Sequence, residues 1–527
     1  MAGTCLVIQE ARLGDLIQSK PVMDDLTLAG TRTVLLVRPG ISSFARSLGI
    51  GDEVLSWPSF GDPESGQPLL SRLSGAKDFV GQLRKKKIDR VVVLNHHGTG
   101  IVLARLLGVP VFGFTEMFSP SNESERPSHL SGWPGYLVAS SRGIRALNRI
   151  HLSDMWRGFV GPKPASREQL PAKREHRGGP VVVVLGGRSP FRRLEPDVLL
   201  ALLKALKRVD GGQIVLTGGQ EDASLGARLE REAGEGVVNL AGKTGFRELS
   251  DLISSAGVVF SPDTAPLHLA ASLGIPSVGL FFAGALPFET GAYREGALSL
   301  VTTMECYPCA GEGSSCAHRS CRDALGSERT AALIAAVRRG ASANDLLGIL
   351  GDTGGNVDLM EAVSTPSGVL QRVVTPRLLT RERLLARLFR RFYWRYLGGS
   401  RDGPSLSEEL GMEGALWSGG TGEKEGSPPD PLWMGRLEQG ASLYIRLREA
   451  EIQGVQKQRM VDRLAAEFPM IWPLLHHLEW VEGGLGDLRS FLAAAEGLVA
   501  EIGEAGRSLV PLNGRAAQNK ERTHVAI

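Results

Sequence analysis

Residues 260–282, FSPDTAPLHLAASLGIPSVGLFF, constrain the fold more than any other part of this sequence. Apolar residues at 258–260 and at 278–282 predict two buried strands. Between them, Asp263 stands where a helix N-cap is expected, and Pro266 suits the first helical turn. A glycine and a proline then end the helix. A strand, a helix and a strand at this spacing predict a βαβ unit in a parallel sheet.

The turn of this segment is also a candidate binding site for an anion. The start of a helix offers unpaired N–H groups and the positive end of the helix dipole. Thr264 and His268 are four residues apart, so both side chains lie on one face of the first turn, where they suit a diphosphate. An ordinary strand–helix corner capped by Asp263 is the alternative.

Short apolar runs alternate with helical stretches over about the first 330 residues, which predicts α/β architecture. A segment rich in Pro, Lys, Arg and Gly at residues 163–179 divides the alternation into two series. We therefore expect one domain at residues 1–165 and another at 178–330, with their strand ends facing a shared cleft. The predicted strands are residues 5–9, 34–37, 91–94, 181–185, 213–217, 237–240, 258–261 and 278–282.

The sequence changes in character after residue 330, where the alternation stops. We expect an α-helical C-terminal extension over residues 331–527, with a flexible linker near residues 398–431. Residues 376–397 predict a basic helix in which arginines are interleaved with Leu, Phe, Tyr and Trp. Such a helix suits packing against the protein, docking to anionic lipid or docking to an acidic protein acceptor.

Net charge and apolar content indicate whether nucleic acid or a membrane is an expected partner of this chain. The chain has 527 residues and a formal net charge of +3, which is too small to make nucleic acid the expected partner. No stretch is apolar enough to predict a transmembrane helix, and residues 1–12 lack the basic and apolar regions of a signal peptide. We therefore expect a cytoplasmic protein, with peripheral contact at the inner face of the cytoplasmic membrane as an option.

The first predicted strand leads into the tetrapeptide Arg12-Leu-Gly-Asp15. Gly14 lets the backbone turn tightly, and Asp15 opens the next helix at the edge of the predicted cleft. A carboxylate in that position is either a helix cap or a general base for an incoming hydroxyl group.

Two loops of the second domain have the composition of phosphate and ribose sites. Residues 186–193, GGRSPFRR, combine paired glycines, Ser189 and three arginines, which suit phosphate oxygens. Glu221 and Asp222 follow another strand, where an acidic side chain binds ribose hydroxyls in dinucleotide sites. Solvated arginines and helix caps are the alternatives. With the motifs above, these loops predict a nucleoside diphosphate on the second domain and a hydroxyl acceptor on the first.

Four of the five cysteines are clustered at Cys306, Cys309, Cys316 and Cys321. A C-x2-C pair with two further cysteines nearby fits a tetrahedral thiolate site for zinc or iron. A cytoplasmic location disfavours disulfides. Reduced or redox-labile cysteines on a loop are the alternative to this tentative metal site.

Three of these motifs together resemble the family 9 glycosyltransferases, the ADP-heptose:lipopolysaccharide heptosyltransferases. They are RLGD at residues 12–15, the loop at 187–196 and DTAPLH at residues 263–268, and the resemblance covers roughly residues 4–330. It implies a GT-B fold, in which two Rossmann-like domains face a cleft, and inverting transfer of heptose from ADP-heptose without a metal ion. The sequence also contains no Asp-x-Asp pair, which a metal-clamped diphosphate of the GT-A kind would use.

The resemblance also implies roles for particular residues. Asp15 is the implied catalytic base, with Arg12 and Gly14 on the acceptor side, and Asp222 is an alternative ribose ligand. Ala265 replaces a glycine that the family usually has, and the usual tryptophan before Pro196 is a glutamate here. The residues implied to hold the nucleotide sugar are Arg188, Ser189, Arg193, Glu221, Asp263, Thr264, Ala265 and His268.

The resemblance thus predicts a glycosyltransferase that moves heptose from ADP-heptose to a lipopolysaccharide core or related acceptor hydroxyl. A protein acceptor is a variant of this prediction, because the C-terminal extension exceeds what a minimal enzyme of this kind needs. The alternatives are a nucleotide-sugar epimerase with a similar cleft and a non-catalytic interaction protein. No cofactor is expected for catalysis, and zinc or iron would have a structural role only.

Overall fold

The computed structural model describes most of the chain up to residue 398 and short pieces beyond it. One compact unit holds both β-sheets, and a second unit contains the helices at residues 132–140 and 381–398. The described residues are 3–58, 69–115, 132–140, 145, 148–161, 178–187, 189–304, 306–309, 316, 320–322, 326–350, 356–365, 368–375, 381–398, 437–439, 442, 497, 499–500 and 502.

The first half of the sheet-bearing unit is built on a parallel sheet. Within the described residues it has five strands in the order β3-β2-β1-β4-β5. The three central strands are runs rich in Val, Leu and Ile and are almost entirely buried, as expected of a parallel sheet covered on both faces. The strands are β1 (Thr4–Gln9), β2 (Arg32–Val37), β3 (Glu53–Ser56), β4 (Arg90–Val93) and β5 (Val111–Gly113).

Helices connect these strands in the predicted βαβ pattern. One of them, residues 98–107, ends at Gly108, whose φ of 72° is the left-handed conformation of a helix C-cap. The helices up to residue 158 are α1 (Leu13–Gln18), α2 (Lys20–Leu28), α3 (Ser42–Ser47), α4 (Leu69–Lys85), α5 (Gly98–Leu107), α6 (Gly132–Ser140) and α7 (Leu152–Gly158).

The second half is built on a larger, mixed sheet. Its eight strands within the described residues are ordered β13-β12-β11-β10-β9-β6-β7-β8, with β6 to β11 parallel and the last two antiparallel. The strands are β6 (Val181–Val184), β7 (Ile214–Thr217), β8 (Val237–Asn239), β9 (Val258–Pro262), β10 (Ser277–Phe281), β11 (Leu298–Thr302), β12 (Val357–Thr365) and β13 (Gly368–Val373).

The helices of the second half alternate with its parallel strands, and the helix of residues 265–272 crosses from β9 to β10 as the sequence predicts. The remaining helices are α8 (Pro196–Asp210), α9 (Ala223–Ala233), α10 (Phe246–Ser255), α11 (Ala265–Ser272), α12 (Pro287–Thr290), α13 (Ser327–Arg338), α14 (Leu347–Leu350) and α15 (Arg381–Gly398). Two doubly wound α/β halves in succession confirm the expected GT-B fold.

Two details of the predicted organisation are corrected. Only helices were expected after residue 330, but β12 and β13 at residues 357–373 extend the second sheet. The short strands β3, β5 and β11 were not predicted at all. β12 was not predicted because its residues do not alternate strictly between polar and apolar. This strand lies between β11 and β13 and is mostly buried, so both of its faces are covered. Residues 162–177 and 399–431, which include most of both predicted linkers, lie outside the described residues.

A buried ionic network joins the two halves of the sheet-bearing unit. Arg157 in α7 is 2% exposed and donates to both carboxylate oxygens of Asp25, at 2.6 and 2.8 Å. Tyr293 donates to Asp154 at 2.6 Å, and Asp154 also accepts the N–H of Val369 at 2.9 Å. Because buried charges depend on their partners, this network fixes α7 of the first half against β13 of the second.

The second unit contains α6 and α15, the predicted basic helix. Trp133 and Trp394 bring α6 and α15 together, with ring centroids 5.6 Å apart, and Tyr136 lies 4.6 Å from Tyr393. Arg387 is buried along with these aromatic rings. These described side chains favour a packing helix over one that offers a free basic face to lipid. No helix among the described residues is long and apolar enough to cross a membrane.

Candidate functional site

A cavity of about 820 Å³ opens between the two halves of the sheet-bearing unit, at the carboxyl ends of their strands. The first half contributes the start of α1, and the second contributes the loops that follow β6, β7, β8 and β9. The sequence-predicted residues that line this cavity are Arg12, Gly14, Asp15, Arg193, Glu221, Asp222, Asp263, Thr264, Ala265 and His268. Residues distant in sequence are therefore brought together, while their roles remain predictions.

Asp15 lies in the first turn of α1 and lines the cavity. Its Oδ2 accepts the backbone N–H of Arg12 at 3.1 Å, which is a cap-like bond across the start of the helix. Burial raises the pKa of Asp15, against the lowering effects of the Arg12 N–H and of His268. A carboxylate whose proton affinity is raised in this way is better suited to accept a proton than an ordinary surface aspartate.

Gly14 allows α1 and α11 to approach each other across the cavity. A Cβ atom at Gly14 would lie 3.2 Å from Cδ2 of His268 and 3.8 Å from Cα of Ala265. Next to this approach, the side-chain amide nitrogen of Gln18 lies 3.3 Å from Nε2 of His268 and 3.4 Å from the carbonyl oxygen of Gly14. The RLGD glycine is thus needed because the neighbouring helix leaves little room for a side chain.

Asp263 is not the N-cap of α11, as the sequence predicted. The N-cap is Thr264, one residue later, and it makes no side-chain capping bond. Asp263 instead accepts hydrogen bonds from Arg192 at 3.2 Å and from Thr290 at 3.0 Å, and its Oδ1 lies 3.4 Å from Nε2 of His268. Burial would raise the pKa of Asp263, but His268 and Arg192 outweigh it and lower the pKa, so the carboxylate stays ionised.

The start of α11 has the features of an anion site. Nδ1 of His268 is a buried polar atom without a hydrogen-bond partner among the described residues. Oγ of Ser189 is also buried without such a partner, but Ser189 is not among the residues that line the cavity. Ala265 supplies the N–H of the first helical position, and Thr264 lines the cavity beside it. Unsatisfied buried donors are costly, so they favour a bound ligand that accepts hydrogen bonds. Phosphate oxygens meet this requirement at a helix N-terminus.

The loop after β6 holds Arg193 at the side of the cavity. Arg193 donates to the carbonyl oxygen of Gly187 at 2.7 Å and to Asp222 at 2.9 Å. Asp222 also accepts the N–H of Gly219 at 2.9 Å, and burial raises its pKa against the opposing effect of Arg193. Asp222 therefore supports the phosphate loop, which leaves exposed Glu221 as the better candidate for ribose hydroxyls. Arg188 lies outside the described residues.

The part of the chain from α8 to the cysteine segment is similar to a known family. Residues 197–319 match the family model described as glycosyltransferase family 9 (heptosyltransferase). Over this segment the chain resembles the family 9 glycosyltransferases. The matched residues include Glu221 and the whole Asp263-to-His268 turn, so the match falls on the half that forms the anion end of the cavity.

Individual relatives carry the same description. Lipopolysaccharide heptosyltransferase 3 of Escherichia coli is 28% identical over 237 residues, which are 41% of this chain and 69% of that protein. Lipopolysaccharide core heptosyltransferase OpsX of Haemophilus influenzae is 44% identical over 56 residues, which are 11% of this chain and 16% of that protein. The solved structure of E. coli ADP-heptose LPS heptosyltransferase II has a TM-score of 0.43 at 18% identity, covering 59% of this chain and 92% of that chain.

Sequence reasoning missed several residues that line this cavity or contact its lining. Arg192 is one of three arginines in its loop, and the sequence does not distinguish it from the other two. The structure shows that it is the partner of Asp263. Gln18 lies one turn after Asp15 on the same helix, which is the signal that could have found it. Thr290 and Phe246 come from segments with no motif of their own, so the fold alone brings them to the cavity.

The four clustered cysteines are not arranged as a metal site among the described residues, so the predicted zinc or iron site stays a prediction. Across the part of the chain that the structure describes, no group of three or more His, Cys, Asp or Glu side chains is arranged to hold a metal ion. Cys306, Cys309, Cys316 and Cys321 all belong to that part and are free thiols. Burial raises the pKa of Cys309 and of Cys321, and neighbouring cysteines add to both shifts.

Proposed function

We propose that this glycosyltransferase transfers heptose from ADP-heptose to a hydroxyl group of a lipopolysaccharide core acceptor, with inversion and without a catalytic metal ion. The observation that carries the proposal is the cavity that places Asp15 of one half beside His268 and Thr264 of the other. The names of the matched relatives, which include lipopolysaccharide heptosyltransferases, support the choice of sugar and acceptor. An acceptor of this kind places the reaction at the inner face of the cytoplasmic membrane.

The proposed reaction is a single displacement at the anomeric carbon. The acceptor oxygen forms a bond to this carbon on the face opposite the diphosphate, and the bond from carbon to the diphosphate oxygen breaks. Asp15 takes the proton of the attacking hydroxyl group, which makes the oxygen a stronger nucleophile. The raised pKa of Asp15, caused by burial, favours this proton transfer.

The departing ADP gains negative charge, and this charge needs stabilisation as it develops. His268, Thr264 and the N–H of Ala265 face the cavity at the start of α11, and Arg192 and Arg193 border the same space. Preorganised donors and fixed positive charge lower the energy of such a transition state most in a partly dry site. These groups can perform the work that a divalent cation performs in metal-dependent transferases.

The test of this proposal uses ADP-heptose and a heptose-deficient lipopolysaccharide core. The unaltered chain is expected to release ADP only when the acceptor is present, because an epimerase would change the sugar without an acceptor. Asp15→Ala is expected to lower the transfer rate by a factor of about 10² to 10⁴ while ADP still binds. An Asp15→Ala protein that keeps full activity contradicts the role of Asp15. Transfer from another nucleotide sugar, with release of its own nucleoside diphosphate, but not from ADP-heptose contradicts the choice of donor.

A further inference from the structure

An aromatic side chain borders the cavity without a role in the reaction described above. Phe246, the first residue of α10, lines the cavity and is 38% exposed. Thr244, Gly245 and Leu249 line the cavity beside it. An exposed aromatic ring on a ligand cavity offers its face to another flat ring, because stacking buries both surfaces.

The opposite half of the molecule contacts this same ring. Phe44 in α3 is 1% exposed, and its ring centroid lies 5.3 Å from that of Phe246, at an interplanar angle of 56°. α3 follows β2 of the first sheet, whereas α10 precedes β9 of the second. Tilted pairs at this distance are favourable, and a fully buried Phe44 restricts where the ring of Phe246 can lie.

We propose that Phe246 stacks on the nucleobase of the donor and that Phe44, as a positioning residue in the opposite half, holds the ring of Phe246 in place. This inference rests on the proposed function, since it takes the ligand to be a nucleoside diphosphate. The start of α11 would bind the diphosphate while α10 binds the base. Donor affinity thereby depends on Phe44 of the opposite half, which does not line the cavity.

The test compares ADP with inorganic pyrophosphate, which shares the charged end and lacks the base. Binding of both to the full chain is measured by titration calorimetry. Phe246→Ala is expected to weaken ADP about tenfold and to leave pyrophosphate within about twofold. Phe44→Leu keeps an apolar side chain of similar volume and is expected to weaken ADP about threefold with no change for pyrophosphate.

A third variant supplies a signature that a purely structural role would not give. Phe246→Trp is expected to bind ADP as well as the unaltered chain does, in contrast to Phe246→Ala. The emission of the new tryptophan is obtained by subtracting the fluorescence of the unaltered chain, and it is expected to fall when ADP is added but not when pyrophosphate is added. Val209→Ser is the matched control, because Val209 is 41% exposed and does not line the cavity. It is expected to change neither affinity. If Phe44→Leu does not fold, the Phe246 variants decide the stacking step.

The outcomes separate this inference from the proposed function. If the unaltered chain binds pyrophosphate but not ADP, both proposals are overturned. If the unaltered chain binds ADP and Phe246→Ala binds it equally well, or loses both ligands in equal measure, only the stacking of Phe246 is overturned. A folded Phe44→Leu protein with unchanged ADP affinity overturns the positioning role of Phe44.

Discussion

At the scale of single residues, Asp15 shows how a helix cap and a general base can be the same side chain. Its Oδ2 accepts the N–H of Arg12, and the carboxylate lines the cavity. The sequence left these two roles as alternatives. A carboxylate can satisfy both, because it has two oxygens with four lone-pair sites and the cap uses one of them.

We expect Asp15→Asn to stabilise the fold at neutral pH while it impairs transfer. Burial raises the folded-state pKa of Asp15, so the folded chain binds this proton more tightly than the unfolded chain. The associated stability is complete below the ordinary aspartate value of 3.8 and is lost as the pH rises through the raised pKa. At pH 7 the asparagine is expected to add about 0.5–2 kcal/mol to the free energy of unfolding.

Denaturant unfolding of both proteins at pH 7 and pH 4 measures this effect. The difference between them is expected to shrink towards pH 4, because a larger share of the folded chains then carries the Asp15 proton. A gain of equal size at both pH values would point to a cause other than ionisation.

Gly14→Ala is expected to lower kcat/KM for the donor about tenfold through a small displacement of His268. The added methyl would lie 3.2 Å from Cδ2 of His268, so the ring or helix α1 must shift by a few tenths of an ångström. Gly81→Ala in α4 is the matched control, because a Cβ there meets nothing within 4 Å. The control is expected to keep full activity and to gain helix stability. Equal activity of the two variants would contradict the steric argument.

Much of the candidate site could be predicted at this scale, but not its hydrogen bonds. The residue types and loop positions of Asp15, Thr264 and His268 follow from strand ends and helix starts. The partner of Asp263 does not, because the choice between capping α11 and bonding Arg192 depends on how the β6 and β9 loops meet. Such choices are decided by tertiary packing, which cannot be inferred from the sequence of a single loop.

At the scale of elements, the buried ionic network of α7 connects the two sheet-bearing halves of the molecule. Tyr293→Phe is expected to lower the free energy of unfolding by about 1–3 kcal/mol. The hydroxyl group donates to Asp154 at 2.6 Å and accepts from Arg157 at 3.3 Å, so its loss leaves buried groups short of a partner. Denaturant unfolding measures the cost.

A double-mutant cycle tests the origin of that cost. Asp154→Asn, combined with Tyr293→Phe, is expected to show coupling well above the error, since the two side chains share one hydrogen bond. Additive effects would mean that the hydroxyl group acts elsewhere than on Asp154. This network could not be predicted from the sequence, because its members come from α2, α7, the segment before β11 and β13 and meet only in the folded chain.

At the scale of the whole molecule, the second half is not complete until about residue 375. β12 pairs with β11, where Ser299 faces Met360. Val357, Leu359 and Val374 belong to the same hydrophobic core cluster as the strands β6 to β10. The GT-B architecture could be predicted from the alternation of the first 330 residues, whereas this closing pair of strands could not, since it lies beyond the cysteine segment.

We therefore expect a chain that ends at residue 330 to fail to fold, and a chain that ends at residue 375 to retain a cooperative transition. The shorter chain lacks β12, β13 and most of α13, which exposes the edge of β11 and removes part of the core. The longer chain keeps all thirteen described strands of the two sheets. Soluble yield and denaturant unfolding followed by circular dichroism compare the two with the full chain. A cooperative transition in the 330-residue chain would show that the second half ends where the sequence alone suggested.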